Sequence, residues 1–174
     1  MSFYQKLTAV GTKFVSKHKL FKHGFNLSPM YRRSTAKIVA VSEDLKQIQI
    51  KLPISYKNRN YVNSIFGGSM FAAVDPIPMV QLMNLLGDAY VVWDKTAHIK
   101  FKRPAREDLY ADFEYTDDEL EQVRQSVKKG NELEIEKTTQ LTNANGSVVF
   151  CEVVKTIYIA DKVFYKNKRK KGKQ

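Results

Sequence analysis

Cysteine is nearly absent: Cys151 stands alone among 174 residues. A lone cysteine excludes an internal disulfide framework and fits a reducing compartment. A secretory-type apolar stretch is also missing near the N-terminus, where Lys6, Lys13 and Lys17 interrupt every candidate, so the expected location is cytoplasmic. The three histidines, His18, His23 and His98, do not stand at ligand spacing with Cys or acids, so no metal is expected. There is no G-x-S-x-G, which removes the usual α/β-hydrolase signal, and no glycine loop that could cradle phosphate. No internal repeat appears.

Acids are missing from both ends. Residues 1–37 hold eight Lys/Arg and no acid, and residues 161–174 hold seven and one, so of the net +11 the middle, 38–160, carries −3. A nucleic-acid-binding domain carries its positive charge on a folded face, and this core does not, so no specific nucleic acid is expected. The basic ends suit at most a weak contact with an acidic surface. Phe3, Leu7, Val10 and Phe14 recur at helical spacing within residues 1–23, an amphipathic basic helix that would dock on its own domain or lie on an anionic membrane. The Lys/Arg-rich stretch from Tyr165 to Gln174 has no apolar periodicity and is expected to be disordered, or ordered only by contacts the sequence does not reveal.

What remains is a globular composition, 43% hydrophobic and 27% charged, in a length that suits one domain. Ile38 and Ala40, then Ile48, Ile50 and Leu52, alternate on either side of Ser42-Glu43-Asp44 and predict a hairpin. Strands are predicted over 90–102 and 109–116, separated at Pro104. Thr116-Asp117-Asp118-Glu119 has capping-box spacing and opens a helix that ends at Lys128-Lys129-Gly130. Leu133 to Leu141 and Val148 to Ile159 flank Asn145-Gly146, a strong hairpin signal. The parts are residues 1–35 as helix and linker, 36–160 as the main domain, and 161–174 as tail.

The chain is organised around residues 60–87. The run between Gly68 and Gly87 is apolar on every side, which predicts a buried helix. At roughly 17–19 residues it is borderline for a membrane span. Asp75, Pro76, Pro78, Gln81 and Asn84 favour a core helix instead. Gly67 and Gly68 would start the helix, leaving backbone N–H groups free at its positive end, where they can stabilise an oxyanion. Asp75 lies two turns on, roughly 10 Å along the axis, too far to serve the same oxyanion. If two copies pair antiparallel, Asp75 of one can face the glycines of the other. A hydrogen-bonded structural aspartate on a buried helix fits the spacing equally well.

Asn60, the Gly67-Gly68 pair and Asp75 resemble the signature of hotdog-fold thioesterases of the phenylacetyl-CoA thioesterase type: Asn, Gly, His-Gly-Gly, then Asp in the central helix. Ile99 to Arg106, followed by Asp108-Leu109-Tyr110-Ala111, resembles the strand–proline–strand passage of that superfamily. The resemblance spans residues 36–160, with its distinctive positions between 60 and 111. Phe66 stands where the pattern has His, Asn63 where it has Gly, and Pro76 and Pro78 follow the aspartate, variations that resemble an uncharacterised hotdog branch.

The resemblance implies an α+β hotdog fold: an antiparallel sheet of about six strands wrapped around a central helix, with peripheral helices. It implies a homodimer, or a dimer of dimers, that hydrolyses an acyl-CoA thioester at its interface. The Gly68 N–H would polarise the carbonyl, Asp75 would act as base or nucleophile, and Asn60 would position water or the carbonyl. Lys102, Arg103 and Arg106 would hold coenzyme A phosphates or be ordinary surface charge. Phe66, Gly67, Phe71 and Met79 would line the acyl pocket, or, for the side chains, pack in the core. No cofactor is expected, coenzyme A entering only with the substrate. The alternative is a non-catalytic module that binds an acyl group or lipid.

Overall fold

The computed structural model describes residues 16–171. The amphipathic stripe Phe3, Leu7, Val10 and Phe14 lies outside the described residues. Two helices come first, α1 (Lys17–Leu27) and α2 (Pro29–Arg32), then the hairpin of β1 (Lys37–Val41) and β2 (Gln47–Leu52). A loop leads to α3 (Gly67–Val74) and α4 (Pro76–Leu86), followed by β3 (Tyr90–Phe101) and β4 (Leu109–Glu114). Helix α5 (Asp117–Gly130), strands β5 (Glu132–Thr142) and β6 (Val149–Asp161), and helix α6 (Lys162–Lys171) complete the chain.

The strands form one antiparallel sheet in the order β1-β2-β4-β5-β6-β3. Alternation sets its faces: Ile48, Ile50 and Leu52 on β2, and Leu109, Ala111 and Phe113 on β4, are buried on the side that holds the helices. The turn before β2 is fixed by Asp44, whose carboxylate accepts from Ser42 Oγ and the Lys46 N–H at 2.6 and 3.0 Å. Thr116 and Glu119 make both halves of the capping box on α5, and Asn131 ends that helix in the left-handed conformation at φ 65°. Between β4 and β5 the ladder is open, its one paired position being Tyr110 with Thr142.

The prolines divide the central helix in two, as their chemistry predicts, but its burial differs from the expectation. Pro76 and Pro78 lack the N–H groups that would reach the Ala72 and Val74 carbonyls, so the helix breaks at Asp75. Tyr31, fully buried, donates its hydroxyl to the Ala73 carbonyl at this break, at 3.0 Å. By length and composition Gly67–Leu86 could cross a membrane. Here Met70, Ala73, Val74, Ile77, Leu82 and Leu86 are buried in the protein core. Nor is the helix covered all round: Gly68, Ala72 and Asp75, at i, i+4 and i+7, form one stripe that stays open.

The tail is also ordered over Lys162–Lys171. Asp161 Oδ1 accepts from the Val163 and Phe164 N–H groups at 2.9 and 2.8 Å, which caps α6. Tyr165 lies beside Trp93 and Tyr158, with ring centroids 6.2 and 6.3 Å away, and Lys168 pairs with Glu132 at 2.7 Å. These contacts depend on side chains spread over three strands, which the tail's own composition does not display.

The core divides into two clusters. One gathers β1, β2, β4 and α3 around Ile38, Ile50, Met70, Ala73, Ile77 and Val153. The other gathers α4 and α5 around Leu82, Leu86, Leu120, Val123, Ile157 and Ile159. The position between Val153 and Ile157 on the inner face of β6 is Lys155, only 2% exposed. The seam of the core is therefore charged.

Candidate functional site

The loop before α3 is held by its own polar residues. Asn58, buried, donates to Thr35 Oγ1 and the Pro53 carbonyl, while its carbonyl accepts from the Phe66 N–H at 2.7 Å. Asn60 Oδ1 accepts from the Val62 and Ser64 N–H groups, both at 3.0 Å, and its Nδ2 donates to Ser64 Oγ. Its side chain thus closes a turn rather than pointing into open space. Asn63, where the resemblance has glycine, adopts φ 60°, a conformation asparagine tolerates.

Phe66 enters α3 in an extended conformation, and its carbonyl takes the Ser69 and Met70 N–H groups at 2.9 and 3.2 Å. The N–H groups of Gly67 and Gly68 have no acceptor among the described residues, as a helix start dictates. Aromatic rings cover both glycines. A Cβ at Gly67 would lie 2.7 Å from the Phe101 ring, and one at Gly68 would lie 2.3 Å from the Phe66 ring. Phe66 and Phe101 are themselves more than half exposed.

Asp75 is at the other end of the open stripe, its side chain 40% exposed. Lys155 Nζ donates to Asp75 Oδ1 at 2.8 Å and to the Asp75 carbonyl at 2.6 Å. The same ammonium contacts Asp94 Oδ2 at 2.6 Å. Asp94 reaches it because the ladder of β3 with β6 shifts between Asp94 and Thr96, a bulge that re-aims the strand. Burial pushes the Asp94 carboxyl above its usual range, against the pull of Lys155. Lys137 faces Lys155 across the β5/β6 ladder but is occupied elsewhere, by Glu119 at 2.7 Å and over the Tyr115 ring at 4.4 Å.

The passage that carries the expected cations lies beside the loop before α3, where the Ala105 carbonyl accepts from the Ile65 N–H at 2.8 Å and the Phe101 ring lies against Gly67. Lys102 pairs with Glu152 at 3.0 Å, and Arg103 and Arg106 are exposed with no ion pair among the described residues. Phe71 packs against the first core cluster and Met79 against the second. Cys151 is fully buried, and burial pushes its thiol up to about 11. No cluster of metal-ligating side chains is present among the described residues.

Lys155 and Asp94 are the residues that sequence reasoning missed. Lys155 did leave a signal. Along β6 the inner positions read Cys151, Val153, Lys155, Ile157, Ile159, and a lone cation in that series needs a buried counter-charge.

One six-stranded antiparallel sheet around a central helix with a glycine start is a hotdog fold. It superimposes on a Pseudomonas aeruginosa protein described as of unknown function and a probable thioesterase, with a TM-score of 0.72 at 18% identity, over 82% of this chain and 95% of that one. A thioesterase from Haemophilus influenzae gives 0.60 at 13% identity, over 83% and 90% of the two chains. Thioesterase superfamily member 2 from Mus musculus gives 0.60 at 13%, over 83% and 98%. Such identities establish the fold. The chain belongs to the DUF4442 family, a domain of unknown function, whose profile matches residues 17–159 and so takes in α1. No curated protein matches the sequence.

Proposed function

We propose that this chain hydrolyses acyl thioesters of coenzyme A at an interface between two copies of itself. The observation that carries this reading is the open stripe Gly68, Ala72 and Asp75, which has unpaired N–H groups at one end and a carboxylate at the other. Beside it, β3 is an edge strand whose residues from Trp93 to Lys100 are exposed on both faces, apart from half-buried Ile99. A long bare edge of this kind invites a second strand. Antiparallel pairing of β3 with its copy would set each Asp75 opposite the other chain's glycines.

In that arrangement the Gly68 N–H takes the charge that grows on the carbonyl oxygen. Asp75 removes a proton from water as the oxygen–carbon bond forms, the carbon–sulfur bond breaks, and the proton passes to the departing thiolate. As a nucleophile, Asp75 instead expels the thiolate to give a mixed anhydride that water then opens. Asn60 supports the site by holding the turn before the glycines. Arg103 and Arg106, free of ion pairs among the described residues, suit the coenzyme A phosphates better than Lys102, which Glu152 engages.

The test is free-thiol release from short, long and aromatic acyl-CoAs by the wild type and Asp75→Asn. Turnover lost in the variant supports the reading, and a folded dimer inert toward every substrate overturns it. The Phe66 ring over Gly68 favours a second reading, an acyl- or lipid-binding module without turnover. It predicts stoichiometric acyl-CoA binding that survives Asp75→Asn.

A further inference from the structure

We propose that Lys155 is the positioning residue for Asp75, and that it leaves Asp75 Oδ2 as the one oxygen free to react. This rests on the hydrolase reading above and says how its carboxylate is aimed. An ammonium has three N–H donors and no acceptor. At Lys155 two of them are directed to Asp75, one to Oδ1 and one to the carbonyl, and the ammonium also forms an ion pair with Asp94 Oδ2 at 2.6 Å. Two of the three therefore grip the same residue, one by its backbone and one by its side chain. A two-point hold of that kind fixes the side-chain torsion of Asp75, which a single contact would not.

The surroundings leave the ammonium no other partner. On β3 its neighbour across the ladder is Ala97, and on β5 it is Lys137, which Glu119 has taken. Tyr115, which could compete from the seam, donates its hydroxyl to the Pro78 carbonyl at 3.1 Å. Lys155 is 2% exposed, while the side chain of Asp75 is 40% exposed. The held oxygen thus faces inward and Oδ2, with no partner among the described residues, is the oxygen left for solvent and substrate. The helix break matters here. Because α3 stops at Asp75, the carbonyl of that residue lies within reach of a side chain on the sheet.

Asp94 completes the device. With one carboxylate the ammonium could swing, and a second, delivered by the bulge in β3, pins it. The trio carries a net single negative charge when both carboxylates are ionised, the charge a base or nucleophile needs. Removing Lys155 would leave two carboxylates close together at the edge of the core with no counter-ion.

The test compares the full-length wild type with Lys155→Met, Lys155→Arg, Asp94→Ala and Asp75→Asn, each checked for folding by circular dichroism and for oligomeric state. On the best acyl-CoA, Lys155→Met is expected to lose on the order of 100-fold in kcat with KM little changed, as misplacement of a reacting group does. Lys155→Arg should recover part of that loss, and Asp94→Ala should show a smaller loss of the same kind. A Lys155→Met protein that is less stable but turns over at the wild-type kcat overturns the proposal. Should Lys155→Met fail to fold, Asp94→Ala decides: an unchanged kcat overturns the proposal and a lowered one supports it. A crystal structure of Asp94→Ala, or of Lys155→Met, gives a readout that needs no turnover. Asp75 turned from its wild-type rotamer supports positioning, and an unmoved Asp75 overturns it. If the wild type hydrolyses nothing, the hydrolase reading fails on its own, and the orientation of Asp75 still decides the role of Lys155.

Discussion

The ring of Phe66 lies over the Cα of Gly68, so close that any side chain at Gly68 would collide with it. The most exposed aromatic contact of the site is thus made by the residue that replaces histidine in the resembling signature. An apolar ring cannot hydrogen-bond a carbonyl, but it can shield the two free N–H groups from water, which strengthens whatever electrostatic interaction they make.

Shortening that ring should therefore be felt in turnover rather than stability. Phe66→Ala is expected to unfold at a denaturant concentration close to that of the wild type, because the ring is 58% exposed. Its kcat for acyl-CoA should fall. Gly68→Ala should also fold, since the colliding atoms belong to a side chain that can rotate away. Its displaced Phe66 should reproduce the Phe66→Ala kinetics. Steady-state kinetics beside urea unfolding separates the two effects.

Tyr31→Phe removes the hydroxyl that satisfies the Ala73 carbonyl at the break between α3 and α4. A net loss of about 1 kcal/mol is expected for a buried neutral hydrogen bond. Chemical denaturation at neutral pH measures it. A loss near zero would mean that the carbonyl finds another donor.

Asp108 joins the hairpin to the passage after β3. Its carboxylate contacts Lys51 Nζ at 2.8 Å and accepts from the Ile54 N–H at 3.0 Å, and the Lys51 contact, ahead of the Ile54 bond, holds it below its ordinary value of 3.8. A carboxyl lowered in the folded state stabilises it fully above the unfolded value. That contribution disappears as pH falls through the lower folded value. Asp108→Asn should be less stable than the wild type at pH 7, and the difference should shrink as pH falls through the lowered folded value. Urea midpoints at pH 7 and at successively lower pH check the sign.

The thiol of Cys151, buried and pushed up to about 11, should resist a thiol reagent at pH 8 in the native protein. It should react within the dead time once the chain is unfolded in guanidinium. Rapid labelling of the native protein would mean that β6 opens locally.

The elements with strong local codes were legible. The alternation of β2, the capping box before α5 and the Asn145-Gly146 turn each carry their structure within a few residues, and each forms where the pattern puts it. The glycine pair and Asp75 could be read because helix geometry converts spacing into direction. The pairing of Lys155 with Asp94 could not, because 61 positions separate them and only the β3/β6 ladder brings them together. The order of α6 escaped for a related reason. Its cations suggest a solvated tail, and the Trp93 and Tyr158 rings that hold Tyr165 lie on distant strands.

The charged seam has a consequence for how the chain folds. Strand β6 is the longest, at thirteen residues, and its side chains alternate between a helix-covered and an outward face. A slip of one residue against β3 would exchange the faces, turning Lys155 outward and bringing Val154 and Thr156 beneath the helices. Apolar burial already penalises that slip, since Glu152 and Thr156 would enter the core while Val153, Ile157 and Ile159 would leave it. Two carboxylates left without a counter-ion add to the penalty. The pair that aims a side chain in the finished protein thus also proofreads strand pairing while the sheet assembles.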